Sequence, residues 1–289
     1  MIKLVERISV IPLINTSYTG FTKSEKKVAD IVLKDPQSII YSSITDLSEH
    51  CEVGEATILR FCKKLGFNGY QSFKMTLAQS LQKEDEVDVQ LSDEITKDDS
   101  IQDVCKKILN TDICALNETF ALIDYKSIEE VVEWLIKAKR IVFFGVGSSA
   151  ITAQDAKNKF MRITSNVEFS YDSHMQSMIA SLMCDKEVAI AFSYSGSTKD
   201  TIEMLKTAKK TGAKTVCVTR YGKSPITQYA DHVLLIGAKE GPLQGGALST
   251  KIAQLFIIDI LYAEYFRKNA RISKFNKEKT AEAISDKLY

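Results

Sequence analysis

Four serine and threonine side chains lie within six residues, where an apolar stretch passes into a helical pattern. The stretch 188–192 contains only apolar residues, which predicts a strand buried on both faces of a parallel sheet. The helical pattern runs from 199 to 210, and backbone N–H groups at the start of a helix attract phosphate. Capping the start of a helix requires only one hydroxyl, so the additional hydroxyls predict a phosphate site. Its members are Ser193, Ser195, Gly196, Ser197 and Thr198.

A second turn rich in glycine and serine, 145–149, follows another predicted strand. With Ala150 it also fits the dinucleotide fingerprint G-x-G-x-x-A, and Glu168 lies near the expected acidic position. A regulator that senses NAD is therefore one alternative. However, the hydroxyls of 193–198 have no role in binding a pyrophosphate. Two hydroxyl loops suit one phosphate and the hydroxyls of a sugar better.

Strands alternate with helices from residue 140 onward, which predicts an α/β domain with an open parallel sheet, a Rossmann-like three-layer sandwich. The predicted strands are 141–144, 167–171, 188–192, 215–219 and 232–236. The predicted helices are 150–163, 175–184, 199–210, a short one at 224–230 and a closing one at 247–268. Ligands of such sheets bind beyond the carboxyl ends of the strands, at a switch in strand order. Both serine-rich turns follow such strand ends.

Residues 1–78 are predicted to form an all-α domain. Thr22 and Glu25 have the spacing of a capping box, which predicts a helix start. Predicted helices at 43–51 and 55–65, joined by a short turn, match a helix-turn-helix. Apolar residues recur at helical spacing in the second helix and should face the core. They are Ile58, Phe61, Cys62 and Leu65.

The remaining face of helix 55–65 should point outward and contact DNA, because the N-terminal part of such a helix meets base edges. Ala56 and Thr57 are small enough for close approach to bases. Arg60 suits guanine, and the two lysines that follow suit phosphates. A charged face turned to solvent is the alternative. The predicted DNA-binding set is Glu55, Ala56, Thr57, Arg60, Lys63 and Lys64.

Composition excludes several other classes of protein. Lys and Arg number 38 and Asp and Glu 37, so no global field recruits DNA or membrane. No apolar run is long enough to span a membrane, and the charged N-terminus does not resemble a secretory signal. Six cysteines without a C-x-x-C pair and three distant histidines predict reduced thiols and no metal site. We expect a cytoplasmic protein that has no membrane partner and no cofactor.

An acidic interval with few apolar residues, 79–105, predicts a solvated linker between domains 1–78 and 106–289. An acidic segment that competes with DNA for the basic helix is a further reading of this interval. Helices then return up to residue 140, with a predicted apolar stripe. The stripe is Val104, Ile108, Leu116, Phe120, Ile128, Val131 and Leu135.

Both halves of the chain resemble known domains. Residues 24–32, 53–67 and 69–74 resemble the N-terminal domain of RpiR-type (MurR/RpiR) transcriptional regulators, although Gly54 stands where that family usually has serine. The α/β half resembles the SIS (sugar isomerase) domain. The stretches that carry this second resemblance are 144–149, 193–200, 212–214, 224–225 and 230–231, with 172–176 and 246–249 similar to the RpiR-type version.

The resemblance implies a regulator of carbohydrate metabolism that binds operator DNA and senses a sugar phosphate. It implies that Ser148 holds the phosphate together with the hydroxyls of 193–198, while Gly147 and Ser149 line the same pocket. It also implies that His174 and Gln176 reach the sugar hydroxyls, although His174 could equally cap a helix at the surface.

A SIS-type phosphosugar isomerase is a second alternative, because such enzymes use a carboxylate and a histidine or lysine. Glu240, His174 and Lys251 are available, but nothing in their spacing shows a base within reach of a substrate. The fused helix-turn-helix favours a sensor without catalytic residues. We therefore expect no enzyme activity.

A homodimer, or a dimer of dimers, is expected because one recognition helix makes few base contacts. Two-fold proteins also match palindromic operators. The closing helix offers an apolar face for that contact or, alternatively, for the core. Its residues are Ile252, Leu255, Phe256, Ile260 and Leu261.

Overall fold

The computed structural model describes residues 10–82, 95–238, 248–285 and 287. The chain divides into two compact units, and the boundary falls between Asn110 and Thr111. None of the described helices combines the length and the apolar character that crossing a membrane requires.

The N-terminal unit is helical, as predicted, and three of its helices begin at residues whose side chains cap them. Thr22 Oγ accepts a hydrogen bond from the Glu25 amide (3.3 Å) while the Glu25 carboxylate accepts one from the Thr22 amide (2.8 Å), which confirms the capping box. Ser43 caps its helix in the same way. The helices are α1 (Val10–Ser17), α2 (Lys23–Lys34), α3 (Pro36–Ile40), α4 (Ile44–His50), α5 (Glu55–Lys64) and α6 (Tyr70–Gln82).

One apolar core holds these helices together. Phe61 lies at its centre, with ring centroids 5.1 Å from Phe21 and 5.8 Å from Phe73. Helices α4 and α5 contribute the inward faces that their periodicity predicts, so the helix-turn-helix pairing is confirmed. The buried members on these two helices and their ends are Ile44, Leu47, Cys51, Ile58, Phe61, Cys62 and Leu65.

The second unit is the predicted α/β domain. Its sheet is parallel throughout and has the strand order β2-β1-β3-β4-β5. The strands are β1 (Arg140–Phe144), β2 (Val167–Glu168), β3 (Glu187–Phe192), β4 (Lys214–Thr219) and β5 (His232–Leu235). The helices are α7 (Ile101–Ala121), which begins before the unit boundary, α8 (Tyr125–Lys137), α9 (Ser148–Phe160), α10 (Ser173–Ser181), α11 (Lys199–Lys210), α12 (Leu248–Lys268) and α13 (Ala270–Ser285), with a 3₁₀ turn at Pro225–Tyr229.

Alternate residues of the strands enter two separate apolar clusters, which makes the domain a three-layer sandwich. Ile141 and Phe143 of β1 point into a cluster with α8, α9 and α12. Val142 and Phe144 point into the other cluster, with α10 and α11. Of the apolar residues of the closing helix, Leu261 is buried in the first cluster and Leu255 and Ile260 pack against it. These three residues therefore belong to the core rather than to an exposed face.

Two sequence predictions differ from the structure. Strand β2 pairs over only two residues, because it lies at the edge of the sheet and its side chains are only half-buried. Helix α7 leaves Ile108 and Phe120 of its predicted apolar stripe exposed, because it turns Ala115 and Thr119 inward instead. The predicted linker 79–105 contains the end of α6 and the start of α7, and its residues 83–94 lie outside the described part.

Candidate functional site

Two loops follow the pair of strands between which the strand order reverses. Strands β1 and β3 are neighbours in the sheet, and the chain leaves them in opposite lateral directions. The segment 145–149, whose last two residues begin α9, follows β1, and the loop 193–198 follows β3, so both lie at the carboxyl edge beside the switch point. Ligands of open parallel sheets bind at this place. The predicted location of the serine-rich turns is therefore confirmed.

The loop after β3 is a tight turn whose hydroxyls remain close together. Gly196 has a positive φ of 60°, and its amide donates to the Ser193 carbonyl (3.2 Å). Ser195 Oγ accepts from the Ser197 amide (3.2 Å). The hydroxyls of Ser193 and Thr198 lie 3.4 Å apart. Ser193 is buried, whereas Ser195, Ser197 and Thr198 are half-exposed.

The loop after β4 fixes this turn from the other side. A Cβ on Gly196 would lie 2.0 Å from Ser224 Oγ, so only glycine fits there. The Ile226 amide donates to the Gly196 carbonyl (2.9 Å), and the amide of Arg220 donates to the Tyr194 carbonyl (3.1 Å). Arg220 also donates through Nη1 to the Ala238 carbonyl. Sequence reasoning missed Arg220, although it follows the end of β4 as Ser193 follows the end of β3.

The loop after β1 is held by the side chain of Gln176. The Gly145 amide donates to Gln176 Oε1 (3.1 Å), and Gln176 Nε2 donates to the Gly145 carbonyl (2.9 Å). The predicted contact of Gln176 with sugar hydroxyls is therefore wrong in this structure, because the side chain is fully buried and its amide is bonded to the loop backbone. His174, two residues earlier on α10, is exposed.

Helices α9 and α11 begin at these loops without a side-chain cap. The N-cap of α9 is Gly147 (φ 58°), which has no side chain, and the N-cap of α11 is Thr198, whose side chain accepts no bond from the first turn. By contrast, the N-caps of α2, α3, α4, α8 and α10 each do so. The first-turn N–H groups of α9 and α11 are thus free of a side-chain acceptor, which suits an anionic ligand.

The residues on which the dinucleotide and isomerase alternatives depend have the following places in the structure. Glu168, the acidic residue of the dinucleotide alternative, pairs with Arg140 (2.8 Å). Lys251, a candidate for the isomerase alternative, is half-buried on α12. Glu240, its candidate carboxylate, and Gly246 of the resembling stretch 246–249 lie outside the described residues. Among the described residues, no cluster of His, Cys, Asp or Glu could hold a metal ion.

The face of α5 that was predicted to meet DNA is only partly exposed. Ala56, Arg60 and Lys63 are exposed, and Glu55 is half-buried and accepts a hydrogen bond from Thr45. Thr57, predicted to point outward, is buried, so that prediction is wrong. The inward face of α5 is wider than the apolar periodicity predicts, and it includes Thr57 beside Ile58.

Two basic side chains of this face are also bonded within the unit. Arg60 Nη2 donates to the buried Thr57 Oγ1 (3.1 Å). Lys64 donates to the Gly20 carbonyl (2.6 Å) and pairs with Glu25 (3.0 Å). Lys64 is therefore engaged at the end of α5, far from the helix start. Gly54, the N-cap of α5, offers no side-chain acceptor, as at α9 and α11.

Known proteins resemble both units. The helix-turn-helix domain of the rpiR family matches residues 8–84, and the SIS domain matches residues 134–264. An HTH-type transcriptional regulator of Haemophilus influenzae is 42% identical over 96% of each chain. RpiR of Escherichia coli, an HTH-type transcriptional regulator, is 28% identical over 96% of this chain and 93% of its own. The structure of Vibrio vulnificus NanR complexed with ManNAc-6P has a TM-score of 0.86 at 28% identity and covers 97% of this chain and 99% of that one.

The fold and the two matched domains define a transcriptional regulator that combines a helix-turn-helix domain with a SIS domain. The chain belongs to the RpiR family of HTH-type transcriptional regulators.

Proposed function

We propose that the α/β unit senses a sugar phosphate and that occupancy of this site changes the affinity of the helical unit for operator DNA. The observation that carries the proposal is the pair of uncapped helix starts at the switch point. Ser148 and Ser149 lie in the first turn of α9, and the loop before α11 contains three serines. Gly196 brings this second loop into close contact with Ser224. We assign the phosphate to Ser148, Ser193, Ser195, Ser197 and Thr198, next to Gly147, Ser149 and Gly196. The exposed His174 is the side chain that we assign to the sugar.

We take N-acetylated hexosamine 6-phosphates as the first effectors to test. The structure of Vibrio vulnificus NanR, which resembles this chain over nearly its whole length, is complexed with ManNAc-6P. Loops that bind phosphate through hydroxyls and backbone amides leave the pocket neutral. A phosphate dianion in such a pocket gains from two helix dipoles at once.

A thermal-shift screen tests the effector class. The full chain is heated with ManNAc-6P, with other hexosamine and pentose phosphates, with the corresponding free sugars and with NAD. A ligand at about 100 times its Kd adds ~2.7 kcal/mol, which raises Tm by several degrees. We expect a shift with a sugar phosphate and none with its free sugar. A shift with NAD alone would support the dinucleotide alternative and contradict the proposal.

The double variant Ser195→Ala with Ser197→Ala tests the site itself. It should keep the Tm of the unliganded protein and lose the shift with the active sugar phosphate. The matched control is Ser177→Ala, because Ser177 is exposed on α10 and its hydroxyl bonds only within that helix (2.9 Å to the Ser173 carbonyl). An unchanged shift in the double variant would remove both hydroxyls from the site.

For the helical unit we propose that α5 enters the major groove with Ala56, Arg60 and Lys63 toward the DNA. Glu55, Thr57 and Lys64 support that surface through the contacts described above. Arg60→Ala should weaken binding to an operator selected from random duplexes by about 1–3 kcal/mol and relax its base preference. Lys137→Ala, on the exposed face of α8, is the control. Equal affinities of Arg60→Ala and wild type would exclude Arg60 from the interface.

Coupling between the two units is tested by measuring operator affinity with and without saturating effector. A ligand changes DNA affinity only by its different affinity for two states of the protein. Equal operator affinity in both conditions would refute the coupling. We propose no turnover, so ManNAc-6P incubated with the protein should be recovered unchanged by NMR. Formation of an isomeric sugar phosphate would support the isomerase alternative.

We further propose a homodimer, or a dimer of dimers, on a palindromic operator. The operators selected in the binding experiment should therefore contain inverted half-sites about one helical turn apart. A selected sequence with a single half-site would contradict this arrangement.

A further inference from the structure

The backbone that follows β5 is held from two sides. The carbonyl of Ala238 accepts hydrogen bonds from Tyr194 Oη (3.3 Å) and from Arg220 Nη1. The amide of Gly237 donates to Thr119 Oγ1 (2.9 Å). Tyr194 belongs to the loop after β3, and Thr119 belongs to α7. Two consecutive residues therefore lie between the candidate phosphate loop and helix α7.

On one side, Gly237 lies directly against the backbone of α7. A Cβ on Gly237 would lie 2.2 Å from Glu118 Cβ and 2.7 Å from the Thr119 amide nitrogen, so only glycine fits there. Thr119 is fully buried, and its hydroxyl also donates to the Ala115 carbonyl (2.6 Å). Because packed interiors have little free space, a displacement of Gly237 must either displace α7 or break this contact.

On the other side, Tyr194 connects Ala238 to the candidate phosphate loop. Tyr194 lies between Ser193 and Ser195, two of the residues that we assign to the phosphate. The Tyr194 carbonyl accepts a hydrogen bond from the Arg220 amide (3.1 Å), and its ring packs against the core of the α/β unit. A phosphate bound by the neighbouring serines acts on the same loop backbone, so a movement of that backbone also moves the Tyr194 hydroxyl.

Helix α7 continues from this contact past the boundary between the two units. It is a single helix of 21 residues, Ile101–Ala121, and the boundary falls between Asn110 and Thr111. Coupling between distant sites is carried by hydrogen-bond networks and by rigid elements such as helices. A displacement at Thr119 is therefore carried along α7 to the residues before the boundary.

We propose that Tyr194, the segment 237–238 and Thr119 form the connection through which occupancy of the phosphate site acts on α7 and, through α7, on operator affinity. The inference rests on the proposed function, because it names the route of the coupling proposed above. Tyr194 and Thr119 are positioning residues, since neither is assigned to the effector or to DNA. Their substitution should therefore change the coupling more than it changes the binding of the effector alone.

Operator affinity tests the connection when it is measured with and without ManNAc-6P, or with the sugar phosphate that replaces it after the thermal-shift screen. The ratio of the two operator dissociation constants measures the coupling. Thr119→Val should bring this ratio at least about threefold closer to one, while the Kd of the sugar phosphate stays within about twofold of wild type. Thr119→Ser retains the hydroxyl and should restore the wild-type ratio.

The matched control for Thr119→Val is Thr215→Val. Thr215 is also fully buried, and its hydroxyl also accepts a hydrogen bond from a backbone amide, that of Asp231 (3.2 Å). It lies near the start of β4, at the edge of the sheet opposite the candidate site. Thr215→Val therefore removes an equivalent hydroxyl, and it should leave the coupling ratio unchanged.

Hydrogen exchange of the Gly237 amide, followed by NMR, tests the connection without effector or DNA. In Tyr194→Phe the Ala238 carbonyl loses one donor, so the neighbouring contact with α7 should open more often. Exchange of the Gly237 amide should then be at least about threefold faster than in wild type. Thr215→Val should leave this exchange rate unchanged.

The outcomes separate failure of the connection from failure of the proposed function. A wild-type coupling ratio of one refutes the proposed coupling, and the connection is refuted with it. A wild-type ratio that differs from one and persists in Thr119→Val overturns only the connection. Unchanged exchange in Tyr194→Phe, or loss of coupling in Thr215→Val as well, has the same meaning. If circular dichroism shows that Thr119→Val is unfolded, Tyr194→Phe replaces it in the operator measurement, and persistent coupling in that variant also overturns the connection.

Discussion

The side-chain amide of Gln176 forms two hydrogen bonds with the backbone of one residue, Gly145. Oε1 accepts from the amide at 3.1 Å and Nε2 donates to the carbonyl at 2.9 Å. Gly145 has no room for a side chain, because a Cβ there would lie 2.7 Å from the Ser149 carbonyl oxygen. The pair therefore fixes the backbone that precedes α9, and with it the N–H groups that we assign to the phosphate.

Gln176→Leu should destabilise the protein and weaken effector binding together. The variant leaves the buried Gly145 N–H and C=O without partners, and an unsatisfied buried group costs about 1–3 kcal/mol. Each kcal/mol corresponds to a fall in Tm of about 2–4 °C for a domain of this size. Thermal unfolding with and without the active sugar phosphate measures both effects. Ser177→Ala is the neighbouring control, and a variant with wild-type Tm and affinity would show that the two bonds are unimportant.

Gly196→Ala should abolish effector binding, whereas Gly212→Ala should not. Both glycines have positive φ, 60° and 89°, so both substitutions cost roughly 1–2 kcal/mol of backbone strain. Only at Gly196 does the new Cβ collide with a neighbour, since it would lie 2.0 Å from Ser224 Oγ but 3.5 Å from the nearest atom at Gly212. Isothermal titration with the sugar phosphate separates the steric effect from the strain. Equal binding by the two variants would contradict this account.

Lys74 makes the stability of the helical unit depend on pH. Its side chain is 5% exposed, donates to the Ser42 carbonyl (3.0 Å) and lies 5.0 Å from the centre of the Tyr70 ring. Burial lowers the pKa of Lys74 from 10.5 to about 8, although Asp46 opposes the shift. Above this pKa the unfolded chain binds more protons than the folded one, so the free energy of unfolding rises with pH.

The Lys74 contribution should amount to about 1 kcal/mol between about pH 7 and pH 9. It is measured as the difference in stability between wild type and Lys74→Met, which should shift in favour of wild type over this interval. Buried thiols have the opposite effect on stability. Burial raises the pKa of Cys51 to about 11 and of Cys62 to about 12, so the free energy of unfolding falls above about pH 9. Both proteins contain these thiols, so their effect cancels when the stability of Lys74→Met is subtracted from that of wild type. A difference that does not change with pH would mean that Lys74 is not titrating.

Arg140→Met should lower stability without changing effector affinity. Arg140 forms two hydrogen bonds with Glu187, both of 2.9 Å, and a third with Glu168 (2.8 Å). Glu187 is 6% exposed, so loss of its partner leaves a nearly buried carboxylate unpaired. Removal of one partner of a fully buried pair costs ~3–5 kcal/mol, and partial exposure of Arg140 reduces this to about 2–3 kcal/mol. Chemical unfolding of the variant, with exposed Lys139→Met as the control, measures the loss.

Burial patterns were predictable from the sequence because they follow from periodicity. Helix α11 spans Lys199–Lys210 as predicted, and the apolar stretch 188–192 lies within β3, which is buried along its whole length. Parallel strands alternating with helices admit few arrangements, so the switch point and the two loops beside it could also be predicted.

Roles that depend on side-chain direction were not predictable. Gln176 and Thr57 are polar residues that the sequence suggested for ligand and DNA, yet both are buried and bonded to their own unit. A pattern of residue types does not reveal which polar side chain satisfies a buried backbone group. Periodicity also does not reveal whether an apolar face becomes buried. Ile108 and Phe120 belong to the predicted apolar stripe of α7, yet both are exposed.

The two edges of the parallel sheet carry different kinds of residue. Arg140 and Glu187, at the starts of β1 and β3, bind the strands to one another, whereas the segments that follow the same strands contain the residues of the candidate phosphate site. Mutations of those residues therefore leave the ion pair at the opposite edge intact. Because of this separation, substitutions in the carboxyl-edge loops can alter the proposed ligand preference while the ion pair keeps the strands joined.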